Sequence, residues 1–181
     1  MGGPLDDFYK DCLRFGCLKC FKHFSLYLRG REELLVTVYH GDEGSPKPGI
    51  PIGFGAKGLP PASPAGKDPS LANPGETVFL VGAYARYNWP YVWLRSSNSK
   101  IGGDNPDKDL PLDLNSTQNW KAMGFRVWDI VEELVVMNVL PSPANPFEVV
   151  HDQVQAMPQL ERALLAGALG CFLRDLLLRQ G

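Results

Sequence analysis

The chain has 181 residues, 44% of them hydrophobic and 21% charged, with a formal net charge of −2 at pH 7. That length is enough to bury a substantial core in one domain, and the apolar-to-charged balance is that of a folded protein, which excludes wholesale disorder. The small acidic surplus argues against nucleic acid as the partner, because its binders concentrate positive charge on one surface.

Taken in chain order, residues 5–29 are predicted to be helical. At about 100° per residue, Tyr9, Leu13, Cys17, Cys20, Phe21, Phe24, Tyr27 and Leu28 fall on one arc, with Arg14, Lys22, Ser25 and Arg29 opposite. Lys10 and Phe15 break the pattern, and Gly16 weakens its middle. "ELLVTVYH" at 33–40 reads as a strand by its β-branched and aromatic content. Residues 41–75 are rich in proline and glycine and carry no periodicity, which predicts a mobile, functional loop. "GFGAKG" at 53–58 spells a phosphate-binding fingerprint, but the prolines on either side forbid the strand and helix it needs.

"ETVFLVGAYARY" at 76–87 and "YVWLRSS" at 91–97 are two further strands, joined as a hairpin through "NWP". After a polar, turn-rich segment, "WKAMGFRVWDIVEELVVMNVL" at 120–140 reads as one helix or as a strand leading into one. "NPFEVVHDQVQAM" at 145–157 carries a helix-start signal, with Asn145 as cap, Pro146 first and Glu148 third. "PQLERALLAGALGCFLRDLLLRQ" at 158–180 is the clearest helix. A helix, then strands, then helices predicts an α+β domain over 1–181, with a small antiparallel sheet packed by an N-terminal helix and a C-terminal helical group.

The longest apolar run, 164–173, is half the length that a bilayer requires. With no apolar signal core at the N-terminus and four unevenly spaced cysteines, the expectation is a cytoplasmic protein with free thiols. Met1 to Arg31 holds six Lys/Arg against three Asp, whereas Val127 to Glu161 has six acids and no Lys or Arg. Such asymmetry either steers a partner or marks two solvated helix faces, the second being preferred.

Cys12, Cys17, Cys20 and His23 form a cluster with three readings. On one continuous helix, Cys12 and Cys20 lie about 12 Å apart along the axis and cannot share an ion. If Gly16 opens a loop, the four could wrap a zinc, and a reactive or lipidated thiol is the third reading. The core-helix reading is preferred. Cys171 with His151 or His40 supplies the residue types of a cysteine hydrolase, without any surrounding signature.

"YARYNWPYVWLR" interleaves Tyr84, Tyr87, Trp89, Tyr91 and Trp93 with Arg86 and Arg95. Rings and guanidinium groups of this kind anchor protein interfaces, or stack bases in RNA. The low net charge favours protein, and whichever of these rings are exposed are the expected anchors. Ala163, Gly167 and Cys171, with Ala166 and Gly170, form a small-residue stripe. Its preferred reading is a tight internal crossing, with homodimerisation through this helix second.

The ends carry a resemblance. A chain that starts at Met1, bears a cysteine cluster and closes on "LLLRQG" resembles the leader proteins of picornaviruses, kobuvirus-like in length, because Gln180-Gly181 matches the junction their main proteases prefer. Cys12, Cys17, Cys20 and His23 echo the zinc finger of cardiovirus leaders, though not in its spacing. The protease-type leaders of aphthoviruses have no matching motif here. The resemblance implies a cytoplasmic, non-enzymatic protein that binds a host protein to suppress innate or stress (translation-control) responses.

Overall fold

The computed structural model describes residues 5–40, 75–95 and 110–179. The loop expected over 41–75, apart from Gly75, lies outside them, as do "GFGAKG" and both chain ends. Helix α1 spans Asp6–Phe15, followed by strands β1 (Phe24–Leu28), β2 (Glu33–Tyr39), β3 (Glu76–Gly82) and β4 (Tyr91–Leu94). Helices α2 (Asn115–Gln118), α3 (Val127–Asn138), α4 (His151–Gln155) and α5 (Gln159–Arg179) complete the order. The fold is α+β. Its sheet runs β1-β2-β3-β4, every neighbouring pair antiparallel.

Alternation along the strands sends Phe24, Leu34, Val36, Val38, Phe79, Val81, Val92 and Leu94 into one face, all buried. Helices α1 and α3 cover that face. In α1 the buried positions are Phe8, Asp11, Cys12 and Phe15, the spacing of one helix stripe. In α3 they include Val127, Ile130, Val131, Leu134 and Val135. A six-ring cluster (Phe15, Phe21, Phe24, Trp128, Phe147 and Phe172) ties α1, β1, α3 and α5 together.

The helix expected over 5–29 ends at Phe15 instead. Gly16 lies so close to the preceding turn and to β2 that a Cβ there would sit 2.4 Å from the Cys12 carbonyl oxygen and 3.1 Å from Leu34 Cδ1. Cys20 then takes a φ of 68°, which no helix contains. Phe24–Leu28 becomes a strand because its five residues alternate inward and outward and pair with β2 from Phe24↔Val38 to Leu28↔Leu34. The projected helical face was therefore false: Leu13 and Tyr27 are exposed, while Phe15, which broke the pattern, is buried.

Neither form expected over 120–140, one helix or a strand leading into one, is found. Residues 119–124 form turns, with Gly124 at φ 62°, and α3 starts only at Val127. The start signal at Asn145 makes a turn rather than a helix: its Oδ1 accepts a hydrogen bond from the Phe147 N–H at 3.1 Å, and α4 begins at His151. Among the described residues, no helix is long and apolar enough to cross a membrane.

Candidate functional site

Two surfaces stand out once the core is accounted for, an aromatic corner on the β3–β4 connection and the outer face of α5. Sheet alternation that buries Val92 and Leu94 turns Tyr91 and Trp93 to the opposite face. Tyr87 meets Tyr91 edge-on at 5.4 Å, Trp89 lies 6.1 Å from Tyr91, and Tyr91 lies 6.0 Å from Trp93. Tyr84 closes the group at 6.3 Å from Trp93 and donates a hydrogen bond from its hydroxyl to Glu33 Oε1 at 2.7 Å. Burial and that bond to Glu33 push the Tyr84 phenol up, so it remains a neutral donor. The Arg86 guanidinium lies over the Tyr87 ring at 4.8 Å.

Five of the seven expected residues thus form one surface: Tyr84, Tyr87, Trp89 and Tyr91 are half-buried and Arg86 is exposed. Arg95 is half-buried just beyond β4, its N–H bonded to the Val78 carbonyl. Trp93 is buried, 0% exposed, and so does not belong to the exposed rings expected as anchors. The space its ring fills is the space that Gly82 leaves, where a Cβ would come within 3.2 Å of Trp93 Cζ3. Trp93 ends a row that crosses the whole sheet, Tyr27–Leu35–Leu80–Trp93, running from exposed Tyr27 to fully buried Trp93.

Helix α5 touches the body through Leu165 and Phe172, which are buried, and Leu169 and Leu176, which are partly so. That spacing is a narrow seam along one side. The rest of the helix is equally apolar but uncovered: Leu160, Leu164, Leu173, Leu177 and Leu178 are 49–74% exposed. The small-residue stripe is corrected as well, since Ala163, Ala166, Gly167, Gly170 and Cys171 all lie exposed and form no internal crossing. A Cβ added at Gly167 or Gly170 would meet nothing within 4 Å. In the sequence, α5 shows apolar residues on every side, and only the structure separates the packed side from the open one.

The Cys/His cluster does not assemble. Cys12 is buried in α1, Cys17 is exposed, and Cys20 is half-buried. Among the described residues, no three His, Cys, Asp or Glu side chains are placed to hold a metal ion. Burial pushes the Cys12 thiol up, the wrong direction for a thiolate ligand. The hydrolase residues lie on separate elements: Cys171 sits exposed on α5, His151 is exposed at the start of α4, and His40 Nε2 lies 2.6 Å from Thr77 Oγ1.

His23 has a different place. Its Nε2 lies 3.5 Å from Glu148 Oε2, and Glu148 also accepts a hydrogen bond from Lys22 Nζ at 3.0 Å. Burial, with the Lys22 charge, lowers the His23 pKa against the upward pull of Glu148. A lowered native pKa means stability that is full above the unfolded value near 6.5 and is lost as pH falls through the native one. The urea midpoint is therefore expected to drop between pH 7 and pH 5, and to drop less in His23→Gln. Parallel pH profiles for the two proteins would contradict this.

The fold and these surfaces define an α+β domain with a capped aromatic corner and a long, half-uncovered apolar helix. Residues 63–181, about two thirds of the chain, match the profile of a domain of unknown function, DUF7886, and the chain belongs to that family. No curated protein and no solved structure matches the chain. The matched span holds β3, β4 and α2–α5, while α1, β1 and β2 precede it, although β2 pairs with all seven residues of β3.

Proposed function

We propose that this chain is a non-catalytic protein-binding module whose outer α5 face seats a partner, with the Tyr84–Tyr91 corner as a second contact. One observation carries the reading: a helix of 21 residues, about 32 Å long at 1.5 Å per residue, exposes five leucines beyond its packed seam. A helix with leucines on every side buries most of them in an interior, and this much exposed leucine on one helix marks an interaction surface. The leader-protein resemblance supplies the kind of partner, a host factor of innate or stress (translation-control) responses.

A specific pattern supports a second reading, homodimerisation. Leu160, Leu164, Gly167, Cys171, Arg174 and Leu178 share one side of α5 in steps of 4-3-4-3-4, a sequence of steps that reads the same in either direction. An antiparallel second copy of α5 would meet it in register, small residues at the crossing and leucines at both ends.

The test is Leu164→Glu with Leu178→Glu. A charge driven into an interface anchor costs about 2 kcal/mol or more, so capture of the partner should weaken at least roughly thirtyfold. Because both side chains are exposed, stability should stay within about 0.5 kcal/mol of the parent. Sedimentation of the parent chain separates the readings, since a dimer that the same variant dissociates assigns α5 to self-pairing. Undiminished capture from cytosol by the double variant, together with by Trp89→Ala/Tyr91→Ala, would remove both surfaces from consideration.

A further inference from the structure

Between α1, α3 and α5 lies a cavity of about 360 Å³, whose rim shares Cys171 and Arg174 with the outer side of α5. Its floor is aromatic, made by Phe15, Trp128 and Phe172, and the lining is mostly apolar. Around the opening stand two guanidinium groups, Arg14 from α1 and Arg174 from α5. Arg174 is paired with the adjacent Asp175 at 3.2 Å, and its side chain is 66% exposed. Arg14 has no hydrogen-bond or ion-pair partner among the described residues. The neighbouring Arg126, whose guanidinium lies 4.9 Å over the Trp128 ring, is already neutralised by Asp11. Two arginines against one carboxylate leave the opening with one net positive charge.

We propose that this cavity binds a small amphipathic monoanion, an apolar chain or ring bearing a single carboxylate, of the medium-chain fatty-acid class. The apolar body would lie on the three rings, and the carboxylate would meet Arg14, with Arg174 able to leave Asp175 for it. Three features set the class. The volume is at the lower end of the roughly 300–1,000 Å³ range of small-ligand sites, which excludes long acyl chains. The rings exclude a purely polar anion, because desolvating it against them gains nothing. The single surplus charge fits one carboxylate better than a phosphate ester.

Cys171 gives the experiment a built-in reporter, since its exposed thiol lines the same cavity while the other exposed thiol, Cys17, does not. The full chain is alkylated with iodoacetamide in the presence of octanoate, decanoate or 1-decanol, all as monomers, and the rates at Cys171 and Cys17 are read by mass spectrometry. Decanoate is expected to slow Cys171 and leave Cys17 unchanged. Its affinity should exceed that of octanoate roughly fourfold for each added methylene, and that of 1-decanol by at least about tenfold. Arg14→Gln/Arg174→Gln, both at exposed positions, should abolish the preference for carboxylate over alcohol. Ala168→Phe, which fills the cavity from α5, should abolish protection without lowering the melting temperature. Indifference of Cys171 to millimolar decanoate, or equal protection by decanoate and 1-decanol, overturns the proposal. The assay contains no other protein, and self-pairing at a fixed protein concentration cannot make protection follow chain length and the carboxylate, so its failure leaves the α5 reading standing and its success does not depend on it.

Discussion

Phe15→Ala is expected to lower stability by about 3–5 kcal/mol. Phe15 is 1% exposed and lies at the hub of the ring cluster, with Phe172 at 5.0 Å, Phe21 at 5.9 Å, Phe24 and Phe147 at 6.1 Å and Trp128 at 6.3 Å. Those rings come from four separate stretches of chain, so the void left by truncation cannot be closed by moving one element. Each ring pair also contributes about 0.5–1.5 kcal/mol beyond simple area burial. A domain of this size rests on about 5–15 kcal/mol in total, so the variant should sit near the edge of folding, its melting point down by about 6–20 °C.

The loss should also be uneven. Helix α5 is held by a single seam, and Phe172 of that seam has its nearest ring contact with Phe15. Amide exchange in Phe15→Ala is therefore expected to rise first along α5, ahead of the sheet, where β2 and β3 share seven register pairs. Phe15→Leu, which keeps most of the volume, should recover more than half of the loss. A cost below about 1 kcal/mol, or exchange that rises equally in β2 and α5, would show that the rings are not the hub of the core.

How this core reads from the sequence depends on which periodicity wins. The strands of β2, β3 and β4 are visible in it because β-branched and aromatic residues concentrate there over four to seven positions, and the α+β class follows from their order. The 5–29 stretch misleads because two true patterns abut. Leu5, Phe8, Cys12 and Phe15 form a genuine helical stripe, and "FSLYL" alternates as a strand. A single 100° projection laid across both merges them into one false face. The only local mark of the boundary is Gly16, and what makes it decisive is the approach of Leu34, a contact with a distant strand.

The candidate surfaces follow the same logic. Aromatic content announced the β3–β4 corner, and alternation alone would have turned Trp93 away from the core face, as it does. That Trp93 is nevertheless buried depends on Gly82 leaving room beside it and on the flanking Tyr84 and Tyr91 rings. The exposed leucines of α5 were in plain view, yet nothing local tells Leu165 from Leu164. The packed side is marked by Phe172, whose ring meets Phe15, Trp128 and Phe147.

The second large effect concerns Asp11, a carboxylate on the buried stripe of α1 and 0% exposed. Arg126, at the start of α3, donates to it from Nε at 2.6 Å and from Nη2, and the Val127 N–H adds a third contact at 3.4 Å. Arg126 also donates its own N–H to Asp129 Oδ2 at 2.6 Å, so one residue both caps α3 and clamps α1 to it. Asp11→Ala leaves the guanidinium without its partner and is expected to cost about 3 kcal/mol, the lower part of the range for breaking a buried pair, because Arg126 is 28% exposed and can reach water.

Arg126→Met should cost more, since the carboxylate it strands has no path to solvent. That variant carries a pH signature. Burial already raises the Asp11 carboxyl above its ordinary value, against the downward pull of Arg126, and deleting Arg126 removes the pull and keeps the burial. A raised native pKa means the native state binds the proton more tightly than the unfolded one, so stability is full below the unfolded value near 3.8 and is lost as pH rises through the native value. Relative to the parent, Arg126→Met is therefore expected to regain stability as pH falls from 7 towards 4. Asp11→Leu/Arg126→Met replaces both charges with apolar groups of similar size and should recover most of the loss at pH 7, as removal of a whole buried pair often does. Urea titrations of the three variants at pH 7 and pH 4.5 decide it. If the double variant loses as much as the two single losses combined, the pair is not coupled, and what holds α1 on α3 is the apolar stripe alone.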